Sequence, residues 1–313
     1  MTSRLASLVR DHLLQDDVES AGHAFLQLPD VETNHRDLLK DVLHDNYIAG
    51  MYATPTLLRF FKQLPSWAWT LDGVDILLTA TKELGVVAND ALRKVNLQRQ
   101  CPVFPIAVYL HRLIKDKLQG EDRLRAKEFW HSRVSSTLRA IVKGRAFEIA
   151  SRHEAMYAPA DSLSFDNERR LVFTWVPEWS PDHDKEKWHI TPVDPKNISS
   201  DWFLIRNLHT QEYLYATNCF NSTKDSTGRS RSWAFLWRPK NEIDKKNYWR
   251  LVPVDPAEEN EFALYNRYTE EFLISNDLHD KERRIVATSP QLKNTSSWRA
   301  DIRWKLSPAA LWG

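Results

Sequence analysis

At 313 residues the chain has room for about two domains, and a hydrophobic content of 42% is enough to give both a core. A net charge of +1 provides no basic face for nucleic acid or an anionic membrane, and no stretch approaches the roughly 18 uninterrupted apolar residues of a membrane span. Cys101 and Cys219 match no metal or redox spacing, so no disulfide framework is expected.

The opening segment, MTSRLASLVRDHLLQDD, carries Arg4, Arg10 and Asp11 and lacks the apolar run of a secretory signal, which predicts a cytoplasmic protein. From here to about residue 143 the periodicity is helical. Leu5, Leu8, Val9 and Leu13 make one apolar face, and Leu38, Leu39, Val42, Leu43 and Tyr47 make another. Thr54-Pro55 starts a helix that carries Leu57, Leu58 and Phe61 and stops before Pro65. Residues 72–100 are helix-like, with Gly85 and Val86-Val87 as a possible break. A helix after Pro105 places Ile106, Tyr109, Leu110, Leu113 and Ile114 on one side and ends at Gly120. A last one, from Glu121, aligns Leu124, Trp130, Val134, Leu138 and Ile141, with Gly144 as its C-terminal cap.

From Phe147 the period switches to two. A pattern of Phe, an aromatic ten residues on, Arg and Trp occurs three times: Phe147, Tyr157, Arg170, Trp188; Phe203, Tyr213, Arg231, Trp249; Phe262, Phe272, Arg284, Trp304. Repeats of this length are supersecondary units that bury their apolar faces only by associating. Each has room for four short strands, and three such units close into a barrel with a hairpin cap, which leaves no sheet edge. The expected fold is therefore α+β multidomain, an all-α helical domain over 1–143 followed by an all-β β-trefoil over 144–313.

The strings that carry the repeats are Phe203-Leu204-Ile205-Arg206-Asn207 leading to Tyr213-Leu214, then Tyr248-Trp249-Arg250-Leu251 with Pro253, and in the next unit Tyr265-Asn266-Arg267, Leu273-Ile274-Ser275, Arg284 and Trp304. Over roughly residues 140 to 308 they resemble the insect low-molecular-weight haemolymph lipoproteins, the microvitellogenin group, which pair a helical N-terminal domain with a β-trefoil. The resemblance implies a storage, transport or recognition role with a carbohydrate or lipid ligand. It also makes secretion the alternative to a cytoplasmic location.

Enzymatic signatures are missing from the sequence. With eight glycines there is no phosphate-cradling loop, and no nucleophile elbow, HExxH or Cys/His ligand cluster occurs. A non-enzymatic protein is expected, with no catalytic residues, no cofactor and no resident metal. His183 and His189 flank Asp182 and Asp184 and could approach a metal, but they read as an exposed hairpin loop. His153 and His209 mark turns. Asn207 and Asn266 occupy matching places after the first strand of their units and read as turn residues that satisfy local backbone groups.

Trp179, Trp233 and Trp237 stand outside the repeated closing positions and are free to form an aromatic platform. Asp182, Asp184 and Asn241 are nearby in sequence and could provide polar contacts. The Gln that precedes Trp by two in ricin-type lectins is replaced by Glu186, Asn247 and Ile302, so a ricin-like galactose site is not expected. Two other roles fit the same sequence: an intracellular protein-interaction module that uses both halves, or a toxin-like protein whose trefoil targets a glycan.

Overall fold

The computed structural model describes residues 2–29, 31, 59–60, 63–64, 103–116, 118–152, 154–159, 165–176, 183–193, 202–217, 232–238, 243–254, 260–278, 280–289 and 300–309. The helices expected at 38–47 and 72–100 lie outside these residues, as does most of the one after Pro55. The chain forms two compact units, one reaching Val134 and the other starting at Ser135.

In the first unit, α1 (Thr2–Leu14) and α2 (Val18–Leu26) form a helical hairpin. The buried side of α1 is Ala6, Val9 and Leu13, whereas Leu8, expected on that face, is 42% exposed. The sequence reading missed α2, although its signal is present: Asp17 accepts a hydrogen bond from the Ser20 N–H at 3.1 Å as N-cap, and Val18, Ala21, Ala24 and Phe25 follow at helical spacing. Phe25 meets Phe60 edge-on at 5.8 Å. In α3 (Val103–Asp116) Ala107, Leu110 and Ile114 are buried, and the His111 ring lies 5.4 Å from Trp130 of α4 (Gly120–Arg133).

The single helix expected from Glu121 to Ile141 is in fact two. Val134 turns extended (φ −99°, ψ 127°), and the Ser135 hydroxyl accepts the Leu138 N–H at 3.3 Å to start α5 (Ser136–Val142). This second helix belongs to the β unit. It buries Thr137, Leu138, Ala140 and Ile141, and its Thr137 hydroxyl donates to the Leu306 carbonyl at 3.5 Å. Gly144 takes φ +67° after it, and the Arg145 N–H reaches back to the Ala140 carbonyl at 2.9 Å, so the predicted glycine cap is present.

Among the described residues the second unit has thirteen strands in three repeats. The first repeat holds β1 (Ala146–Ser151), β2 (Glu154–Tyr157), β3 (Arg169–Leu171), β4 (Phe173–Trp175) and β5 (Lys187–Pro192). Then come β6 (Phe203–Asn207), β7 (Tyr213–Ala216), β8 (Ser232–Trp237) and β9 (Trp249–Pro253), followed by β10 (Glu261–Asn266), β11 (Phe272–Leu278), β12 (Arg283–Ser289) and β13 (Arg303–Pro308). β3 and β4 are one third strand, interrupted at Val172.

The first and last strands of each repeat pair around a closed circle: β1–β5, β5–β6, β6–β9, β9–β10, β10–β13 and β13–β1. The hairpins β2–β4, β7–β8 and β11–β12 join one another through β3–β8, β8–β12 and β12–β4, forming a triangular cap. This is a trefoil-like fold: a six-stranded barrel closed at one end by three hairpins. Phe147, Phe203 and Phe262 fill the barrel with Trp188, Trp249 and Trp304, all buried. Each of these tryptophans donates its indole N–H to a second-strand carbonyl: Met156 at 2.8 Å, Leu214 at 3.0 Å and Leu273 at 2.9 Å. A buried aromatic of this size contributes roughly 4–6 kcal/mol of transfer free energy, at about 25 cal/mol/Å².

Candidate ligand-binding face

The three indole bonds fix which residues correspond. Met156, Leu214 and Leu273 are equivalent, so Tyr157 corresponds to Tyr215 and Ile274, not to Tyr213 and Phe272 as their ten-residue spacing suggested. The hairpin pairing agrees, because Ala155, Tyr213 and Phe272 each pair with the end of the preceding barrel strand. The first repeat turns in a tight connection between Ser151 and Glu154, whereas the other two need a longer one.

That longer turn is built on Asn207 and Asn266, both fully buried. The Asn207 side-chain oxygen accepts the His209 and Thr210 N–H groups, each at 3.0 Å, and its amide donates to the Lys185 carbonyl at 2.8 Å. Asn266 repeats this with Tyr268 (3.0 Å), Thr269 (3.1 Å) and Lys246 (2.8 Å). The expected structural role of both asparagines, and of His209 as a turn residue, is seen directly.

Between repeats, third-strand arginines meet glutamates. Arg170 Nε and Nη2 donate to Glu212 at 2.8 and 3.1 Å, and Arg284 Nε donates to Glu154 at 2.8 Å. Strand register puts Ser232 at the matching place in the second repeat: Arg170 pairs with Leu236, Arg284 with Thr174 and Ser232 with Thr288. Arg231, which the repeat pattern placed there, lies outside the described residues.

The repeats also differ on the outer side of the cap. Trp233, Phe235 and Trp237 alternate onto one face of β8, where the first repeat carries Leu171, Phe173 and Trp175 and the third Ile285, Ala287 and Ser289. Phe165, 37% exposed, stands edge-on to Trp233 at 5.7 Å and lies 5.2 Å from Phe235. Tyr215 continues the face, 5.1 Å from Trp237. The Arg169 guanidinium lies over Phe165 at 4.6 Å, and its Nε donates to Asp166 at 2.6 Å. Burial raises the Asp166 carboxyl, but hydrogen bonds from the Arg169 side chain and from the backbone N–H groups of Glu168 and Arg169 outweigh it and bring the pKa below its ordinary value.

Trp233 and Trp237, expected at the site, lie on the same face of β8 with Phe235 between them. Their indole N–H groups are buried and have no acceptor among the described residues, unlike those of the three barrel tryptophans. Trp179, Asp182 and Asn241 lie outside the described residues. Asp184 is exposed in a 3₁₀ turn (His183–Glu186), where its carboxylate is held by Lys187 at 3.0 Å. Sequence reasoning missed Phe165, Arg169 and Tyr215. Phe165 and Arg169 frame an Asp-x-Glu-Arg turn, Asp166 to Arg169, that recurs as Asp280 to Arg283, and this recurrence was the available signal.

Among the described residues no group of three or more His, Cys, Asp or Glu could hold a metal ion, and no helix is long and apolar enough to cross a membrane. Burial and the nearby Arg206 lower the pKa of His189, on the barrel strand β5.

No protein-family model and no curated protein matches the sequence. Among solved structures, the chain is similar to a salivary protein from Culex quiquefasciatus of the Cysteine and Tryptophan-Rich family, with 20% identity, a TM-score of 0.38 and coverage of 53% of this chain and 94% of that one. It is also similar to the Macrolepiota procera ricin B-like lectin solved with lactose (12% identity, TM-score 0.35, 53% and 96% covered). A third similar structure is a protein described as the BEL beta-trefoil (14% identity, TM-score 0.36, 53% and 94% covered). At these values the trefoil-like description rests on the chain's own strand order.

Proposed function

We propose that this chain is a non-enzymatic recognition protein whose β unit binds carbohydrate on the outer face of β8. The observation that carries this reading is the run of aromatic rings on this face, where Phe165, 37% exposed, stands edge-on to Trp233 and Tyr215 packs against Trp237. A sugar ring offers C–H groups to stack on an aromatic face and hydroxyl oxygens to accept N–H bonds, and the Arg169 guanidinium beside Phe165 adds a charged donor. The insect-lipoprotein resemblance adds lipid as the other ligand class and storage or transport as the setting.

A glycan array followed by isothermal titration tests the reading. The expected result is at least one glycan ligand whose affinity falls about tenfold or more in Trp233→Ala. In Trp237→Ala, which removes the ring beside Tyr215, a fall of roughly fivefold is expected, corresponding to about 1 kcal/mol. A blank array with a stoichiometric protein partner recovered from native tissue would replace carbohydrate recognition with the protein-interaction reading.

A further inference from the structure

The three seams between repeats in the cap are built on one plan, and one of them departs from it. Glu154, Glu212 and Glu271 hold equivalent positions, each immediately before the residue that opens the hairpin ladder. Glu154 takes the Thr174 hydroxyl on one oxygen at 2.8 Å and Arg284 Nε on the other at 2.8 Å. Glu271 takes the matching hydroxyl, Thr288, on the same oxygen at 2.7 Å. At the register position that Arg284 and Arg170 hold in their own seams stands Ser232. The carboxylate and its orienting hydroxyl are thus retained while the guanidinium side chain is replaced by a short hydroxyl. Glu271 is also more exposed than Glu154, so its free oxygen is reachable from solvent.

We propose that the Glu271 seam, between the second and third repeats, is a binding site for a guanidinium group supplied by an arginine-bearing ligand. Such a group would occupy the place that Arg284 holds against Glu154, donating to the Glu271 oxygen that Thr288 does not engage. The charge-assisted geometry is already present twice in this fold, with the carboxylate oriented in advance, which lowers the ordering cost of binding. Ser232 and Trp233 are neighbours in a strand, so their side chains leave on opposite faces. The seam is therefore separate from the proposed sugar face, and failure of one leaves the other standing.

The test uses the full chain and N-acetyl-arginine methylamide as probe, with the uncharged citrulline analogue as control, read by NMR at Thr288 and Glu271. The expected result is a saturable shift with the arginine compound only, lost at Thr288 in Glu271→Gln and lost in Ser232→Arg. The second variant supplies the guanidinium from the chain itself and should melt at a higher temperature than the parent. The proposal is overturned if no saturable shift appears, if citrulline produces it equally, or if Ser232→Arg keeps it. It is equally overturned if Ser232→Arg unfolds or melts lower, since the seam would then not accommodate a guanidinium.

Discussion

Asn207 and Asn266 show how much a single polar side chain can hold in this fold. Each accepts two backbone N–H groups and donates to a carbonyl in the preceding 3₁₀ turn, all from a fully buried position. Asn207→Ala leaves those groups unpaired and should cost about 2–3 kcal/mol in chemical denaturation, and Asn207→Asp, which sets a buried carboxylate against the Lys185 carbonyl, should cost at least as much. Glu271 gives a pH signature. Burial raises its pKa, and the hydrogen bond from Thr288 offsets this only in part. The folded chain then keeps this proton to higher pH than the unfolded chain, so the stability it contributes is full below the unfolded value and is lost as pH rises through the folded one. Melting temperatures followed from acid to neutral pH should show Glu271→Gln losing that decline and exceeding the parent near neutrality. The asparagines were legible because they repeat at the same offset. The Tyr157 alignment failed because the first hairpin turns in fewer residues, so equal spacing in sequence did not mean equal place in the ladder.

At the scale of elements, the third-strand arginines rank themselves by burial. The Arg170 and Glu212 side chains are 9% and 11% exposed, and the Arg284 side chain is 24% exposed. Arg170→Ala should therefore cost more stability than Arg284→Ala, about 3–5 kcal/mol against a smaller loss, because Arg170 is the more deeply buried cation and makes two bonds to its glutamate where Arg284 makes one. Thermal melts of the two variants, side by side, check the order. The break between α4 and α5 is the element that periodicity concealed. Leu124, Trp130, Val134, Leu138 and Ile141 keep helical spacing across it, yet Leu124 is 60% exposed while Leu138 and Ile141 pack on the β unit. The Ser135-Ser136 pair carried the competing signal, a capping hydroxyl. Ser135→Ala should cost about 1 kcal/mol.

For the whole molecule, α5 makes the β unit start before its first strand. Leu138 and Ile141 are buried, and Thr137 bonds to Leu306 of the last strand. A fragment of residues 135–313 should melt cooperatively, and one of 144–313 at a lower temperature, since loss of two buried aliphatic side chains removes roughly 3–6 kcal/mol of apolar burial. Differential scanning calorimetry on the pair decides. The barrel-and-cap plan could be read in the sequence because its aromatics recur, whereas the proposed binding face could not. Phe165, Arg169, Trp233 and Tyr215 come from separate elements that only strand pairing brings together.

The first barrel strand also pairs with the last, and the Ala309 N–H reaches the Ala146 carbonyl at 2.9 Å. The three repeats therefore form a ring with no privileged beginning. Any of them could open the chain and the same barrel would close, so a circular permutant cut between Val254 and Asn260 should retain the fold. What distinguishes the repeats is local: the Ser232-Trp233 pair of the second repeat and, in the third, a glutamate that Thr288 holds with no arginine opposite among the described residues.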